Sequence, residues 1–336
     1  MKILFISLGC DKNLADSEEM LGLLTGNGHE IVDSEEEADA IVINTCCFIH
    51  DAKEESVNTI LEMAEYKKTG TCKILIVTGC MAQRYKEEIT EEIPEVDAVL
   101  GTTSYGDIVK ALNEAEAGHV FQEFKDINAL PEDSGRRVIT TGGHFGYLKI
   151  AEGCDKHCTY CIIPSLRGKF RSVPEERLLK QAEYMASQGV RELILVAQET
   201  TVYGTDLYGK KTLHLLLKKL CQIRGIRWIR VLYCYPEEIY DELIQVMKAE
   251  PKICHYLDLP IQHASDKILR RMGRRTSKQQ LIDIITKLRR EIPDIVLRTS
   301  LITGFPGETE EDHQELMEFV DEMEFDRLGV FTYSPE

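Results

Sequence analysis

GYLKIAEGCDKHCTYCIIPSLR, residues 146–167, decides how the second half of the chain is read. GYLKIA (146–151) is a short strand-like run, and the polar loop after it places Cys154, Cys158 and Cys161 in a C-x3-C-x2-C spacing. Cysteines of a helical core would recur three or four apart on an apolar face, whereas Asp155, Lys156 and His157 make this loop polar. Pro164 limits any helix that begins inside the motif. Compact cysteine spacing is a metal signal. Closed zinc sites and ordinary iron–sulfur clusters want four protein ligands, however, and this stretch offers three. Three readings are open: a zinc site completed by His157 or a distant residue, three unrelated thiols, or an iron–sulfur cluster with one iron left to a ligand that is not protein.

Working outward, strand and helix alternate after this loop. A helix over 174–188 leads to ELILVAQ (192–198), a leucine-rich helix around 212–222 to WIRVLY (228–233), and a helix from Pro236 to HYLDLP (255–260). A helix around 278–291 then leads to IVLRTSLITG (295–304), and a helix from Glu308 to RLGVFTY (327–333). Six strand–helix units with short loops predict an open or partial (β/α)6 barrel whose working face is the carboxyl ends of its strands. On the amino-terminal side KILFISL (2–8), AIVIN (40–44), KILIVTG (73–79) and VDAVLG (96–101) each precede a helical pattern, which predicts a Rossmann-like parallel sheet. Between them, residues 118–146 hold Pro131, a Glu-Asp-Ser-Gly run and Gly142-Gly143 without sustained periodicity. The fold class is therefore α/β in two domains, 1–135 and 136–336.

Cys10, Cys46 and Cys80 are far apart in sequence, yet each follows one of the first three predicted strands: ISLGC, VINTC and IVTGC. In a parallel sheet the carboxyl ends of the strands share one edge, where ligands gather, so these thiols are expected to converge. Cys47 is expected to point elsewhere, because neighbouring residues at a strand end face opposite ways. Cys72, Cys221, Cys234 and Cys254 show no such placement and read as packing residues.

Composition narrows the class. Eleven cysteines, an odd number, do not make a disulfide framework, and metal ligation with buried thiols accounts for them better. The net charge of −17 speaks against a partner bound mainly through phosphates. Residues 1–135 hold 10 Lys and Arg against 28 Asp and Glu, leaving 30 against 29 for the remainder, so an acidic module is joined to a neutral one. The run Arg270-Arg271-Met272-Gly273-Arg274-Arg275 reads as a solvated helix end rather than a nucleic-acid patch. MKILFISLGC imitates a lipoprotein signal, but its apolar stretch is shorter than the roughly 7–15 residues of a signal core. It reads as the first strand of a cytoplasmic protein, and no run reaches the ~18 apolar residues of a membrane span.

With Tyr160 before the last cysteine, the C-x3-C-x2-C loop resembles the signature of the radical S-adenosylmethionine superfamily. Two domains with three cysteines each resemble its methylthiotransferase family. The resemblance rests on GCDKNLADSE (9–18), NTC (44–46), TGC (78–80), EGCDKHCTYCIIPSLRG (152–168), LPIQHAS (259–265) and GFPGETE (304–310). KNLADSE, FIHDAKEES (48–56) and IIPSLRGKFRS (162–172) resemble the branch that modifies ribosomal protein uS12 rather than the branch that modifies tRNA. At Cys47 that branch usually carries glycine, and Cys46 is taken as the ligand.

The resemblance implies two [4Fe–4S] clusters, held by Cys10, Cys46 and Cys80 and by Cys154, Cys158 and Cys161, with S-adenosylmethionine on the open iron of the second. It implies that a reduced cluster cleaves S-adenosylmethionine to an adenosyl radical. A methylthio group is then added at the β-carbon of one aspartate of uS12, with a sulfur donor and an electron donor as further partners. Gln198, Glu199, Arg298, Gly304 and Glu308 become candidate S-adenosylmethionine contacts, and no catalytic residue beyond the cluster ligands is implied. The family usually ends in a small β-barrel (TRAM) domain, and the sequence stops at Glu336 before one. A tRNA methylthiotransferase is the alternative, which the acidic first domain disfavours because it repels phosphate and attracts a basic protein. A non-catalytic zinc or redox-sensing protein is the remaining one.

Overall fold

The computed structural model describes residues 1–132 and 135–335; Asp133 and Ser134 of the expected linker, and Glu336, lie outside the described residues. The chain forms two compact units. One comprises Met1–Thr140 together with Ile162–Lys169, and the other comprises Thr141–Cys161 and Phe170–Pro335. The segment after Cys161 thus belongs to the first unit, although the loop that precedes it belongs to the second.

The first unit is a six-stranded parallel sheet: β1 (Lys2–Ser7), β2 (Glu30–Val32), β3 (Ala40–Thr45), β4 (Ile74–Gly79), β5 (Ala98–Leu100) and β6 (Phe121–Glu123), in the order β2-β1-β3-β4-β5-β6. AIVINT and ILIVTG are buried along their whole length, as central strands covered on both faces must be. Side chains alternate across the sheet. Ile41, Ile43, Leu75 and Val77 meet Ile60, Met63 and Ala64 of α2 (His50–Thr69) on one face. Val42, Ile74 and Ile76 meet Met20 and Leu24 of α1 (Asp11–Gly26), with Ile108, Ala111 and Leu112 of the helix Ile108–Glu116, on the other. Leu166, in the short helix Ile163–Arg167, joins the first of these cores at 3% exposure. Burying such a side chain contributes roughly 1.5–3 kcal/mol, which ties the segment to this unit.

The second unit carries β7 (Phe145–Lys149), a small antiparallel pair β8 (Ala151–Glu152) and β9 (Arg171–Ser172), then β10 (Glu192–Val196), β11 (Trp228–Val231), β12 (Ile253–Asp258), β13 (Val296–Thr303) and β14 (Arg327–Thr332). Its main sheet is parallel in the order β7-β10-β11-β12-β13-β14. The order follows the chain without reversal, and among the described residues β7 and β14 are edges without a further partner strand, so the unit is an open (β/α)6 barrel. Ser277 with Gln280, and Thr309 with Asp312, form reciprocal capping boxes that start the helices Lys278–Glu291 and Glu310–Met323. Among the described residues no helix is long and apolar enough to cross a membrane.

Two strands of the parallel sheets were not expected. β2 and β6 are three residues each, and EIV and FQE lack the apolar run that marked the others. β2 nevertheless defines the topology. The chain leaves β1 to one side for β2 and returns to the other side for β3, which puts the reversal of strand order at β1/β3, where ligands of open α/β sheets bind.

Candidate functional site

In the first unit Cys10 caps the amino end of α1 straight after β1, Cys46 follows β3, and Cys80 opens α3 (Cys80–Arg84) straight after β4. β1, β3 and β4 are neighbours, so the three thiols meet at one edge, close enough for Cys10 and Cys80 to act electrostatically on Cys46. Two glycines permit the approach. At Gly9 (φ +89°) a β-carbon would lie 2.7 Å from the Cys46 β-carbon, and at Gly79 (φ +95°) one would lie 2.3 Å from Asn44 Oδ1. Cys46 and Cys80 are buried and Cys10 is exposed. Cys47 is fully buried in the apolar core with Ile41, Ile43 and Leu75, on the sheet face away from α1.

A buried polar layer backs this trio. Lys12, Asn13, Asp16, Ser17, Glu18 and Glu19 of α1 are all buried. Asn44 Nδ2 donates to Asn13 O and Ser17 Oγ, both at 2.9 Å, and Asn13 Nδ2 donates to Thr45 O at 3.0 Å. Arg167, 2% exposed, donates from Nη1 to Asp16 Oδ2 at 2.8 Å and from Nη2 to Asn13 Oδ1 at 2.6 Å. The same Nη2 lies 3.7 Å from Cys80 Sγ. Burial pushes the Cys46 thiol up to about 11 and raises that of Cys80, which the Arg167 guanidinium opposes. Thiols held so must lose protons to bind a metal.

In the second unit the loop after β8 carries the other trio, with Cys154 and Cys158 buried and Cys161 partly so. His157 turns the loop at φ +52° and is exposed, and Cys161 N donates to Cys158 O at 3.0 Å. Cys158 Sγ is 3.6 Å from the Tyr235 hydroxyl. The Cys154 thiol is pushed up to about 11, again by burial. Among the described residues no three His, Cys, Asp or Glu side chains gather so as to hold a single metal ion. A cubane cluster takes each thiolate on a different iron, and so needs ligands around a body rather than around a point.

Four of the other expected residues, Gln198, Glu199, Gly304 and Glu308, lie beyond the carboxyl ends of their strands. Gln198 and Glu199 follow β10, and Gln198 Oε1 and Glu199 Oε2 are buried without a hydrogen-bond partner. Thr201 N donates to Glu199 Oε1 at 2.9 Å, yet burial still pushes the carboxyl up to about 7. Arg298, on β13, donates from Nη1 to Asp258 Oδ1 of β12 at 2.6 Å. Gly304 (φ +74°) follows β13, and Glu308 closes that turn by accepting from Phe305 N at 2.9 Å. Glu308 Oε1 also lies 3.5 Å from Nε2 of the fully buried His263, whose Nδ1 accepts from Ser265 N.

One expectation needs correcting. Arg270, Arg271 and Arg275 are exposed, but Arg274 is 5% exposed, with its guanidinium 4.2 Å above the Tyr235 ring. The sequence drew no attention to Tyr235 or Arg167, and it read Arg274 only as part of a solvated run. Arg167 falls inside the quoted cysteine stretch, but nothing local says that it turns to another set of cysteines.

The comparisons with known proteins bear on family and fold. Residues 2–101 match the family described as Uncharacterized protein family UPF0004, and residues 148–320 match the radical SAM superfamily. Ribosomal protein uS12 methylthiotransferase RimO of Lachnoclostridium phytofermentans is 69% identical over 336 residues, covering 100% of this chain and 76% of that protein. RimO of Clostridioides difficile is 52% identical over the same coverage. The chain belongs to the RimO family. Among solved structures, the radical S-adenosylmethionine methyltransferase TsrM from Kitasatospora setae matches with a TM-score of 0.68 at 13% identity, over 99% of this chain and 74% of that one. The cobalamin-dependent S-adenosylmethionine radical enzyme OxsB matches at 0.63 and 16%, over 95% and 51%. At such identities the likeness is one of fold, and both topologies of this RimO-family chain share it.

Proposed function

We propose that the chain is a radical S-adenosylmethionine methylthiotransferase that places a methylthio group on the β-carbon of one aspartate of ribosomal protein uS12. The observation that carries this reading is the second trio: Cys10, Cys46 and Cys80 meet at the carboxyl edge of a sheet separate from the one that bears Cys154, Cys158 and Cys161. A radical enzyme needs one cluster, and sulfur insertion gives the second a use.

The residues fit two [4Fe–4S] clusters. Each trio supplies three thiols and leaves one iron open, in the way that catalytic metal sites keep a free position. Bound there, cluster and S-adenosylmethionine would supply the radical chemistry, and the protein holds and orients them. On the chain's side, the unpartnered Gln198 Oε1 and Glu199 Oε2 offer acceptors to the ammonium and hydroxyl groups of S-adenosylmethionine. Arg298, fixed by Asp258, sits on β13 beside the last residue of β12, and the Gly304–Glu308 turn follows the end of β13. The acidic first unit suits a basic protein substrate. A sulfur donor and an electron donor complete the reaction, and a ribosomal substrate places it in the cytoplasm.

The test is anaerobic reconstitution followed by incubation with reductant, sulfide and S-adenosylmethionine, offering either a uS12 loop peptide or tRNA. Mass spectrometry should find a methylthio group on the peptide aspartate. Modification of tRNA alone overturns the substrate, and tight zinc without iron overturns the chemistry.

A further inference from the structure

Arg274 is a buried cation with idle donors. Its Nη2 donates to Pro260 O at 3.0 Å and lies 3.6 Å from Glu237 Oε2, while Nε and Nη1 are buried with no hydrogen-bond partner among the described residues. Leaving a buried donor unsatisfied costs about 1–3 kcal/mol, more for a charged group, so two idle N–H groups on one guanidinium call for an acceptor.

The neighbourhood says where that acceptor is. Thr159, between Cys158 and Cys161, donates from N to Met272 O at 3.0 Å and from Oγ1 to Arg271 O at 2.9 Å. A β-carbon on Gly273 would lie 3.7 Å from Cys158 Cα. The backbone leading to Arg274 is therefore laid directly on the cysteine loop. Tyr235 joins the two, with Arg274 stacked over its ring and its hydroxyl 3.6 Å from Cys158 Sγ. Cys158 is also among the groups whose charge acts on Arg274.

We propose that Arg274 gives its Nε and Nη1 hydrogens to sulfur of the cluster held by Cys154, Cys158 and Cys161, and so raises that cluster's reduction potential. The inference rests on the reading above that this trio holds a cluster. Hydrogen bonds to cluster sulfur, and a fixed positive charge beside it, favour the reduced, more negative state. Solvent is excluded from the guanidinium, so its charge is weakly screened. A higher potential makes the cluster easier to reduce from outside, at the cost of driving force for passing the electron on to a bound sulfonium.

The experiment uses the full chain with C10A, C46A and C80A, so that one cluster remains, grown on nitrogen-15 arginine and reduced for pulsed paramagnetic resonance. A nitrogen-15 coupling to the cluster is expected with Arg274 present and is expected to vanish in R274Q and R274K. The midpoint potential should fall in R274Q by the equivalent of about tenfold in the reduction equilibrium, about 59 mV for one electron. R274K should fall less, and R275Q, at an exposed position, should not move. The coupling is read with Arg274 in place, and its absence from a folded, iron-loaded Arg274 protein overturns the proposal. So does a coupling that persists in R274K, or an unchanged potential in R274Q with weakened S-adenosylmethionine binding, which would assign the donors to the ligand's carboxylate. Failure of this trio to take up any iron sinks the cluster reading itself, an outcome distinct from iron bound without nitrogen coupling.

Discussion

The two cysteine trios solve one problem by opposite routes. Cys154, Cys158 and Cys161 lie within eight residues on a single loop, whereas Cys10, Cys46 and Cys80 are gathered from three strands by a parallel sheet. Each has a buried arginine near it: Arg167 lies 3.7 Å from Cys80 Sγ, and Arg274 stacks on the Tyr235 ring whose hydroxyl reaches Cys158. In the first unit Arg167 is engaged by Asp16 and Asn13, and in the second Arg274 keeps two donors unused. The difference separates a guanidinium that builds a wall from one held ready for something not yet bound. It also separates what local sequence specifies from what only topology can assemble.

The largest effect breaks the symmetry outright. Cys158→Ala should halve the iron bound after reconstitution and abolish cleavage of S-adenosylmethionine. Cys46→Ala should also halve the iron, but leave cleavage intact and stop methylthio transfer. If both replacements abolish cleavage, the two trios do not hold independent centres.

Next comes the wall. Arg167 and Asp16 are 2% and 3% exposed, and removing one partner of a buried pair leaves the other charge uncompensated, at a cost of about 3–5 kcal/mol. Arg167→Met should lower denaturant stability by that order and reduce iron uptake at the first trio, while Cys154, Cys158 and Cys161 still load. An Arg167→Met protein as stable as its parent would show that the pair does not brace the unit.

How much of this was legible follows the same division. The strand–helix alternation was readable because AIVIN, KILIVTG and ELILV are apolar runs bounded by turns. The C-x3-C-x2-C loop was readable because its spacing is local. The convergence of Cys10, Cys46 and Cys80 needed one further step, that parallel strands share a carboxyl edge. What stayed hidden was polar burial. KNLADSE reads as a soluble helical surface, since charged side chains are rarely buried, and only the packed structure shows Asn13, Asp16 and Glu18 turned inward. Arg274 was hidden for the same reason, inside a run whose other arginines are exposed.

Glu199 gives a smaller, pH-dependent contrast in the second unit. Its carboxyl is raised by burial to about 7 from an ordinary 4.5. Between those values the folded chain holds a proton that the unfolded chain has lost, so this group makes stability fall as pH rises from about 4.5 to about 7, by up to about 3 kcal/mol. Glu199→Gln should flatten that part of the curve and be relatively more stable at pH 8 than at pH 5. Denaturant midpoints at the two pH values decide it, and an unaltered slope removes Glu199 as the source.

The smallest effect bears on which thiol of the adjacent pair serves the first trio. Cys46 and Cys47 are both buried, but Cys47 is packed among Ile41, Ile43 and Leu75, and burial pushes its thiol up to about 12, against about 11 for Cys46. Neighbours at a strand end diverge; Cys80 acts on both thiols, but Cys10 and Arg167 act on Cys46, whereas Cys47 is packed in the core and acted on by Arg84. Cys47→Ala should therefore cost only the small cavity it leaves, about 1 kcal/mol, with the iron of both centres retained. Cys46→Ala on the same background should lose half of it. If instead Cys47→Ala sheds iron and Cys46→Ala does not, the ligand is the core-facing thiol, and the first unit must rearrange around β3 to present it.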